Sequence, residues 1–244
     1  MIRIGIGIST YNRKDSLKML IDSIKKHTKT VPHTLFCAVD GSTDGTVEML
    51  MKEGIEFTYG PNIGPNRNKN RIFRRFSQYN YLFMFEDDME IIRDNWIEIY
   101  ILASTMSNIP YFIYAPQDDP NYKENRIESV GSVKIAWCNT YSPKLIVLNR
   151  RVIEKVGAID ERFNRYYCGS EEHFNRIVAC GLLPKGLGIP HVIESKNFIR
   201  PIPNEKVPKL LAEDERIEER QASQFILKRL TTELSQTQNF FRKL

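Results

Sequence analysis

The chain carries little that would mark a secreted, membrane-spanning or metal-cluster protein. Its four cysteines, Cys37, Cys138, Cys168 and Cys180, are scattered with no C-x-x-C pair, which indicates neither a zinc site nor a disulfide framework. Cys37 lies in a strand-like run and reads as a small buried residue. No apolar run approaches the roughly 20 residues that cross a bilayer. The N-terminal apolar stretch, residues 4–8, is short and interrupted by glycine, unlike a signal peptide, so cytoplasmic residence is the expectation. Internal repeats and low-complexity tracts are absent. Charge of one sign is barely in excess: 35 Lys+Arg against 30 Asp+Glu leave +5. That balance suits an anionic ligand or an acidic surface but does not argue for nucleic acid. What remains is 244 residues with 41% hydrophobic and 27% charged side chains, an ordinary globular composition with length for one large α/β domain and a small appendage.

The most informative stretch is residues 79–92, Tyr-Asn-Tyr-Leu-Phe-Met-Phe-Glu-Asp-Asp-Met-Glu-Ile-Ile. An unbroken apolar run, residues 81–85, ends abruptly in Glu86, Asp87 and Asp88. A short aromatic-rich run without helical spacing predicts a strand buried on both faces. In an open α/β sheet, ligands bind outside the carboxyl ends of such strands. Adjacent carboxylates at the rim of a core repel one another, so they are either solvated or interleaved with cations. Hard oxygen ligands suit Mg²⁺ or Mn²⁺, often completed by substrate phosphates. A solvated acidic turn is the plain alternative.

Upstream, residues 3–10 predict a buried strand, residues 15–27 a helix with Leu17, Leu20, Ile21 and Ile24 inward, and residues 34–39 a second strand. A polar loop, Asp40-Gly41-Ser42-Thr43-Asp44-Gly45-Thr46, and a further helix follow. Alternating strands and helices of this kind begin a parallel doubly wound sheet. The polar clusters then share one sheet edge, where Tyr11 can stack on a base and Asp40 can accept a hydrogen bond from a base N–H. Turn chemistry alone also accounts for Asp40 and Asp44. After a short strand near 55–59 comes Gly60-Pro61-Asn62-Ile63-Gly64-Pro65 and a basic helix over 66–76. Its start, with Lys69, suits a diphosphate, whereas Arg74 and Arg75 read as a solvated face.

Together, Ile8-Ser9-Thr10-Tyr11-Asn12-Arg13, Val39-Asp40-Gly41-Ser42-Thr43-Asp44-Gly45-Thr46, Asn62-Ile63-Gly64 with Lys69-Asn70, and Glu86-Asp87-Asp88 resemble the inverting family-2 glycosyltransferases of the GT-A fold. Four motifs in register over the first two fifths of the chain are far more specific than one. The resemblance implies an α/β, Rossmann-like, mostly parallel sheet flanked by helices, a nucleotide-sugar donor, usually UDP-linked, and a divalent metal, Mn²⁺ or Mg²⁺. It implies that Thr10, Tyr11 and Arg13 line the nucleotide pocket, that Asp40 meets the base, and that Lys69 lies near the base or diphosphate. Glu86 takes the ribose-associated position and Asp88 the metal position. Ser9, Val39 and Glu86 depart from the usual proline, acid and aspartate; the first two are tolerable, and the third leaves the split of roles among Glu86, Asp87 and Asp88 open.

Further along, residues 96–106 predict a helix, and residues 111–115, 133–137 and 145–149 predict strands; Asp118 and Asp119 read as a turn and Trp137 as core. Gly157-Ala158-Ile159-Asp160-Glu161-Arg162-Phe163 and Gly169-Ser170-Glu171-Glu172 resemble the segment leading to the family's acceptor-site acid motif. That makes Glu172 the favoured catalytic base with Glu171 as its neighbour, although Ser170 is an extra residue that leaves the choice open. Ser170 is also a plausible helix N-cap that places both acids in a first turn. His191, after an apolar turn, completes the metal site by resemblance or is an ordinary packed histidine. Residues 197–208 read as a mobile, basic, proline-punctuated loop.

We divide the chain into a catalytic domain, 1–203, and a helical extension, 204–244. The extension is read as packing on the domain, pairing with another subunit, or carrying Phe240 and Phe241 to a membrane surface. The expected function is metal-dependent, inverting transfer of a hexosyl or N-acetylhexosaminyl group to a hydroxyl acceptor in glycan or polysaccharide synthesis, with no nucleic-acid partner. A sugar-nucleotide pyrophosphorylase is disfavoured because residues 9–13 hold no glycine. A non-catalytic glycan- or nucleotide-binding module is the alternative.

Overall fold

The computed structural model describes residues 2–163, 168–203, 213–236 and 242. Strand β1 (Ile4–Thr10) and helix α1 (Lys14–His27) are followed by β2 (Thr34–Asp40), α2 (Thr46–Lys52), β3 (Glu56–Gly60), α3 (Pro65–Phe76) and β4 (Tyr81–Glu86). A short β5 (Met89–Ile91), α4 (Trp96–Ser107), β6 (Tyr111–Ile113), β7 (Glu124–Val130), β8 (Val133–Cys138), β9 (Leu145–Asn149) and α5 (Arg150–Val156) come next. The chain ends with α6 (Gly169–Ala179), β10 (Ile189–Val192), β11 (Ile199–Pro201) and α7 (Glu213–Gln236). Among the described residues one sheet runs in the order β3-β2-β1-β4-β9-β6-β10-β8-β7, and β11 pairs with β5 in a second. Strands β3, β2, β1 and β4 are parallel, and β9 is antiparallel to β4.

The order follows from the sequence pattern. β1 alternates isoleucine with Gly5 and Gly7, and Ile4, Ile6 and Ile8 are all buried. A Cβ on Gly5 would collide with the Phe76 ring, and one on Gly7 with the branched side chain of Ile72. Both partners lie on α3, so the two glycines set how closely that helix approaches the sheet. The aromatic run of β4 packs under α4: Phe83 and Phe85 meet the buried Trp96 ring edge-on at 5.3 and 5.5 Å, and the Trp96 indole N–H donates to Thr28 at 2.9 Å. Trp137 is buried, as expected of a core residue, and its indole N–H donates to Glu128.

Three local expectations change. Helix α6 begins at Gly169 after Cys168, which has φ of 55°, so Ser170 is inside the helix and not its cap. The apolar turn before His191 covers residues 187–190, and its second half, Ile189 and Pro190, already belongs to strand β10, which pairs with β6 and β8. The predicted mobile loop starts instead as β11, and Ile202 N–H beyond it donates to the Asp88 carbonyl at 2.8 Å. The rest of that loop, 204–212, lies outside the described residues.

At the other end, α7 packs against α6 with Leu230 buried. The side chain of Leu234, and Phe240 and Phe241, lie outside the described residues. Arg242 pairs with Gly157 as an isolated bridge and donates to buried Asp160 at 3.0 Å. No helix among the described residues is long and apolar enough to cross a membrane.

Two outcomes test this packing. Gly7→Ala is expected to lower unfolding free energy by about 1–3 kcal/mol in urea titrations, because Ile72 has no room to yield. Burial works against the charge of Asp160, but the hydrogen bonds from Arg162 and Arg242 outweigh it and hold the carboxyl at about 2. A folded value below the unfolded one gives stability that is complete above about pH 4 and is lost as pH falls toward 2. Asp160→Asn is therefore expected to cost on the order of 2 kcal/mol at pH 6, with the gap to wild type narrowing between pH 4 and 2.

Candidate active site

A cleft of about 530 Å³ opens at the carboxyl ends of β1, β2 and β4, within the size range of small-ligand sites. Thr10, Tyr11, Arg13, Asp40, Lys69, Glu86, Asp87 and Asp88 all line it. The structure thus brings the whole expected donor-side set together. Polar loops following parallel strands converge on one edge because each strand delivers its successor residues there.

The three acids do not converge on one point; each is directed to a different cation. Asp87 Oδ1 accepts from Arg13 at 3.0 Å and Oδ2 from the Thr10 hydroxyl at 2.7 Å. Glu86 Oε1 accepts from Lys69 Nζ at 3.0 Å, and Lys69 is only 4% exposed. Asp88 Oδ2 lies 3.6 Å from Lys144 Nζ. Burial works against the charge on Glu86, but Lys69, Arg13 and Lys144 outweigh it and bring the group below the usual carboxylate range. Burial raises Asp87 to about 6 despite Arg13 and Thr10. Asp88 is raised by burial and then by the neighbouring charge of Glu86.

Asp40 is buried, and its two oxygens accept the backbone N–H groups of Ile63 and Gly64 at 2.8 and 3.0 Å. Burial raises its carboxyl. It therefore shapes the loop entering α3 while lining the cleft. Helix α3 is also tied down by its asparagines. The Asn68 amide donates to Ser9 Oγ and the Ala38 carbonyl, and Asn70 exchanges hydrogen bonds with Ile159. Of its cations, Arg75 pairs with Glu56 and Arg74 with Glu161.

The acid helix α6 docks at the same edge. A Cβ on Gly169 would lie 2.5 Å from Asn66 Nδ2 at the start of α3, so only glycine allows this approach. Tyr141 links the two sites: its hydroxyl meets that of Tyr111 at 2.9 Å and bonds Ser170. Burial raises its phenol, and the charges of both Glu86 and Glu171 raise it further. Glu171 is exposed, with its carboxyl raised by partial burial. Glu172, favoured from the sequence as the base, is fully buried and receives a 2.7 Å hydrogen bond from Arg176, itself fully buried and bound to the Val156 and Ala158 carbonyls. An acid with no solvent access and a fixed cationic partner holds the helix in place; it cannot meet an acceptor without breaking that pair.

His191 is also placed differently. The strand register sets it level with Met84, three strands away, on the order of 14 Å across the sheet. Its Nε2 lies 3.3 Å from the Tyr122 hydroxyl, its ring is buried, and burial lowers it to about 4. This arrangement makes it a packed histidine and does not bring it to Asp88. Among the described residues no three His, Cys, Asp or Glu side chains form a metal cluster. Asp88 Oδ1, however, is buried and without a hydrogen-bond partner. One such oxygen in the cleft fits a divalent cation that would complete its shell with phosphate oxygens and water.

Sequence reasoning missed Lys144 and gave Tyr141 no role. Neither sits in a recognisable motif; only the antiparallel pairing of β9 with β4, where Phe85 faces Leu145, brings that segment to the acids.

Comparison with known proteins bears on the fold and the family. The chain is similar to Staphylococcus aureus TarS 1–349 solved with UDP, at 12% identity and TM-score 0.56, covering 78% of this chain and 60% of that one. It is similar to the mannosyltransferase PcManGT from Pyrobaculum calidifontis solved with GDP-Man and Mn²⁺, at 12% identity and TM-score 0.56, covering 79% and 56%. GalNAc-T7, solved with UDP, GalNAc and Mn²⁺, superposes with TM-score 0.61 at 11% identity, covering 79% and 42%. The chain thus spans less than two thirds of the length of these proteins, and identities this low establish the shared GT-A fold alone. No curated protein matches the sequence. Glycosyl transferase family 2 matches residues 6–155, more than half of the chain and including every donor-side acid, and the protein belongs to that family.

Proposed function

We propose that the protein transfers a sugar from a nucleoside diphosphate donor, with UDP the first candidate, to a hydroxyl acceptor, with inversion at the anomeric carbon and with help from Mn²⁺ or Mg²⁺. The observation that carries this reading is Asp88: a half-buried carboxylate with one buried, unpartnered oxygen, raised by burial and then by Glu86, in a cleft lined by Arg13 and Lys69 and with Lys144 3.6 Å from its other oxygen. The UDP, GDP-Man and Mn²⁺ bound in the similar structures support it.

In this reading Tyr11 stacks on the base and Asp40 holds the loop against which the base rests. Arg13 and Lys69 are fixed by Asp87 and Glu86, so their charge is oriented before the donor arrives. Asp88 would hold a divalent cation, which would supply positive charge toward the departing diphosphate. Glu171, exposed on the first turn of α6 with a raised carboxyl, takes the proton of the acceptor hydroxyl, a role helped by a pKa nearer neutrality. As the acceptor oxygen bonds to the anomeric carbon, the carbon–phosphate-oxygen bond breaks on the opposite face and the nucleoside diphosphate leaves. Glu172 takes no part in the chemistry and keeps α6 in register through Arg176.

The test is a transfer assay over UDP-, GDP-, CDP- and dTDP-sugars, read as release of nucleoside diphosphate with a panel of saccharide acceptors. Glu171→Gln is expected to lose activity by about 10²–10⁴-fold with nucleotide affinity and melting temperature unchanged. Glu172→Ala, which strands Arg176 in the core, is expected to lose about 3 kcal/mol or more of stability. Asp88→Ala is expected to lose cation-dependent nucleotide binding. Full activity of Glu171→Gln would overturn its role as base, and nucleotide binding without transfer to any acceptor would favour a non-catalytic binding module.

A further inference from the structure

Lys144 differs from the other two cations of the acid cluster. Arg13 and Lys69 make hydrogen-bonded pairs at 3.0 Å with Asp87 and Glu86, and Lys69 is sealed from solvent. Lys144 Nζ lies 3.6 Å from Asp88 Oδ2, outside hydrogen-bonding distance, and its side chain is 31% exposed. Its backbone is nevertheless fixed: the Lys144 carbonyl accepts the Glu86 N–H at 2.9 Å. On the other side the Asp88 carbonyl accepts Ile202 N–H at 2.8 Å. Two pinned backbones therefore present a loosely held ammonium group to a carboxylate whose second oxygen, Oδ1, is buried without a partner.

From this geometry we infer that Lys144 is the resident counter-ion of Asp88 in the donor-free site, and that it moves to the donor's phosphates when a divalent cation takes Asp88. A cation on Asp88 and an ammonium group within 4 Å of the same carboxylate repel each other, more strongly in a partly buried site than in water. Cation binding to the donor-free site must therefore displace Lys144. A diphosphate brings enough negative charge to accept both, so cation and nucleotide bind cooperatively and the coupling passes through Lys144. The four-carbon stem and strongly hydrated head of lysine suit such a swing between two anions. This inference rests on the reading of the cleft as a nucleoside diphosphate site.

The experiment is Mn²⁺ binding to the full chain followed by electron paramagnetic resonance, first without nucleotide and then with UDP, alongside calorimetric UDP titration in EDTA. Lys144→Met is expected to bind Mn²⁺ about tenfold more tightly than wild type without nucleotide, and UDP in EDTA about tenfold more weakly, so that the cooperativity shrinks. Lys144→Arg, which keeps the charge, is expected to keep the weak nucleotide-free Mn²⁺ binding. Asp88→Ala is expected to lose Mn²⁺ binding, leaving the signal of the free ion undiminished. Equal nucleotide-free Mn²⁺ affinity in wild type and Lys144→Met overturns the inference, even where UDP binds and the donor reading stands. Tighter Mn²⁺ in the variant with no nucleoside diphosphate binding at all supports the Asp88 half, and overturns the donor reading together with the phosphate half. If Lys144→Met unfolds, as shown by circular dichroism, Lys144→Gln replaces it with the same expectations.

Discussion

Three consecutive carboxylates at the end of a buried strand are the constraint around which this protein is built. Desolvating each costs several kcal/mol unless a cation answers it, and one strand cannot supply three cations to itself. They come from three separate segments: Arg13 from the loop after β1, Lys69 from α3, and Lys144 from the residue before β9. The parallel pairing of β4 with β1, the close approach of α3 allowed by Gly5 and Gly7, and the antiparallel return of β9 each bring one of them into place. The topology of the central sheet is thereby tied to the electrostatics of its edge.

The answers are unequal, and the inequality gives the site its chemistry. Glu86 is brought below the usual carboxylate range by Lys69, Arg13 and Lys144, whereas Asp88 is disfavoured as a carboxylate by burial and by Glu86 itself. The place where added positive charge is most welcome is therefore Asp88, beside the cleft. The acid helix α6 stands at the same edge because Gly169 lets it touch the start of α3, while the buried Glu172–Arg176 pair fixes its register. The acid cluster of β4 and the first turn of α6 are thus joined through one packed unit, and the Tyr141 phenol, hydrogen-bonded to Ser170, is raised by the charges of both Glu86 and Glu171.

Much of this was legible in the sequence. The run ending in Glu86, Asp87 and Asp88 predicted a doubly buried strand, and it is β4; the loops at Thr10 and Asp40 were expected at one edge, and they line one cleft. Other features lay beyond the reach of the sequence for local reasons. Two adjacent glutamates on a helix point in different directions, and sequence alone does not say which one faces the core, so the choice between Glu171 and Glu172 stayed open. Pro190 gave the start of strand β10 the appearance of a turn and left His191 open to two readings, ligand or packed histidine. The buried asparagines of α3 were hidden by the arginines among them, and Lys144 belongs to no motif. Each of these is a tertiary fact, set by strand register or helix packing and not by spacing along the chain.

The most direct test of a nucleoside diphosphate site organised by these acids is calorimetric titration of the full chain with UDP, GDP, CDP and dTDP, in Mn²⁺ and again in EDTA. The account predicts binding of one nucleotide that strengthens when Mn²⁺ is present. Absence of binding by all four, with and without Mn²⁺, would contradict it.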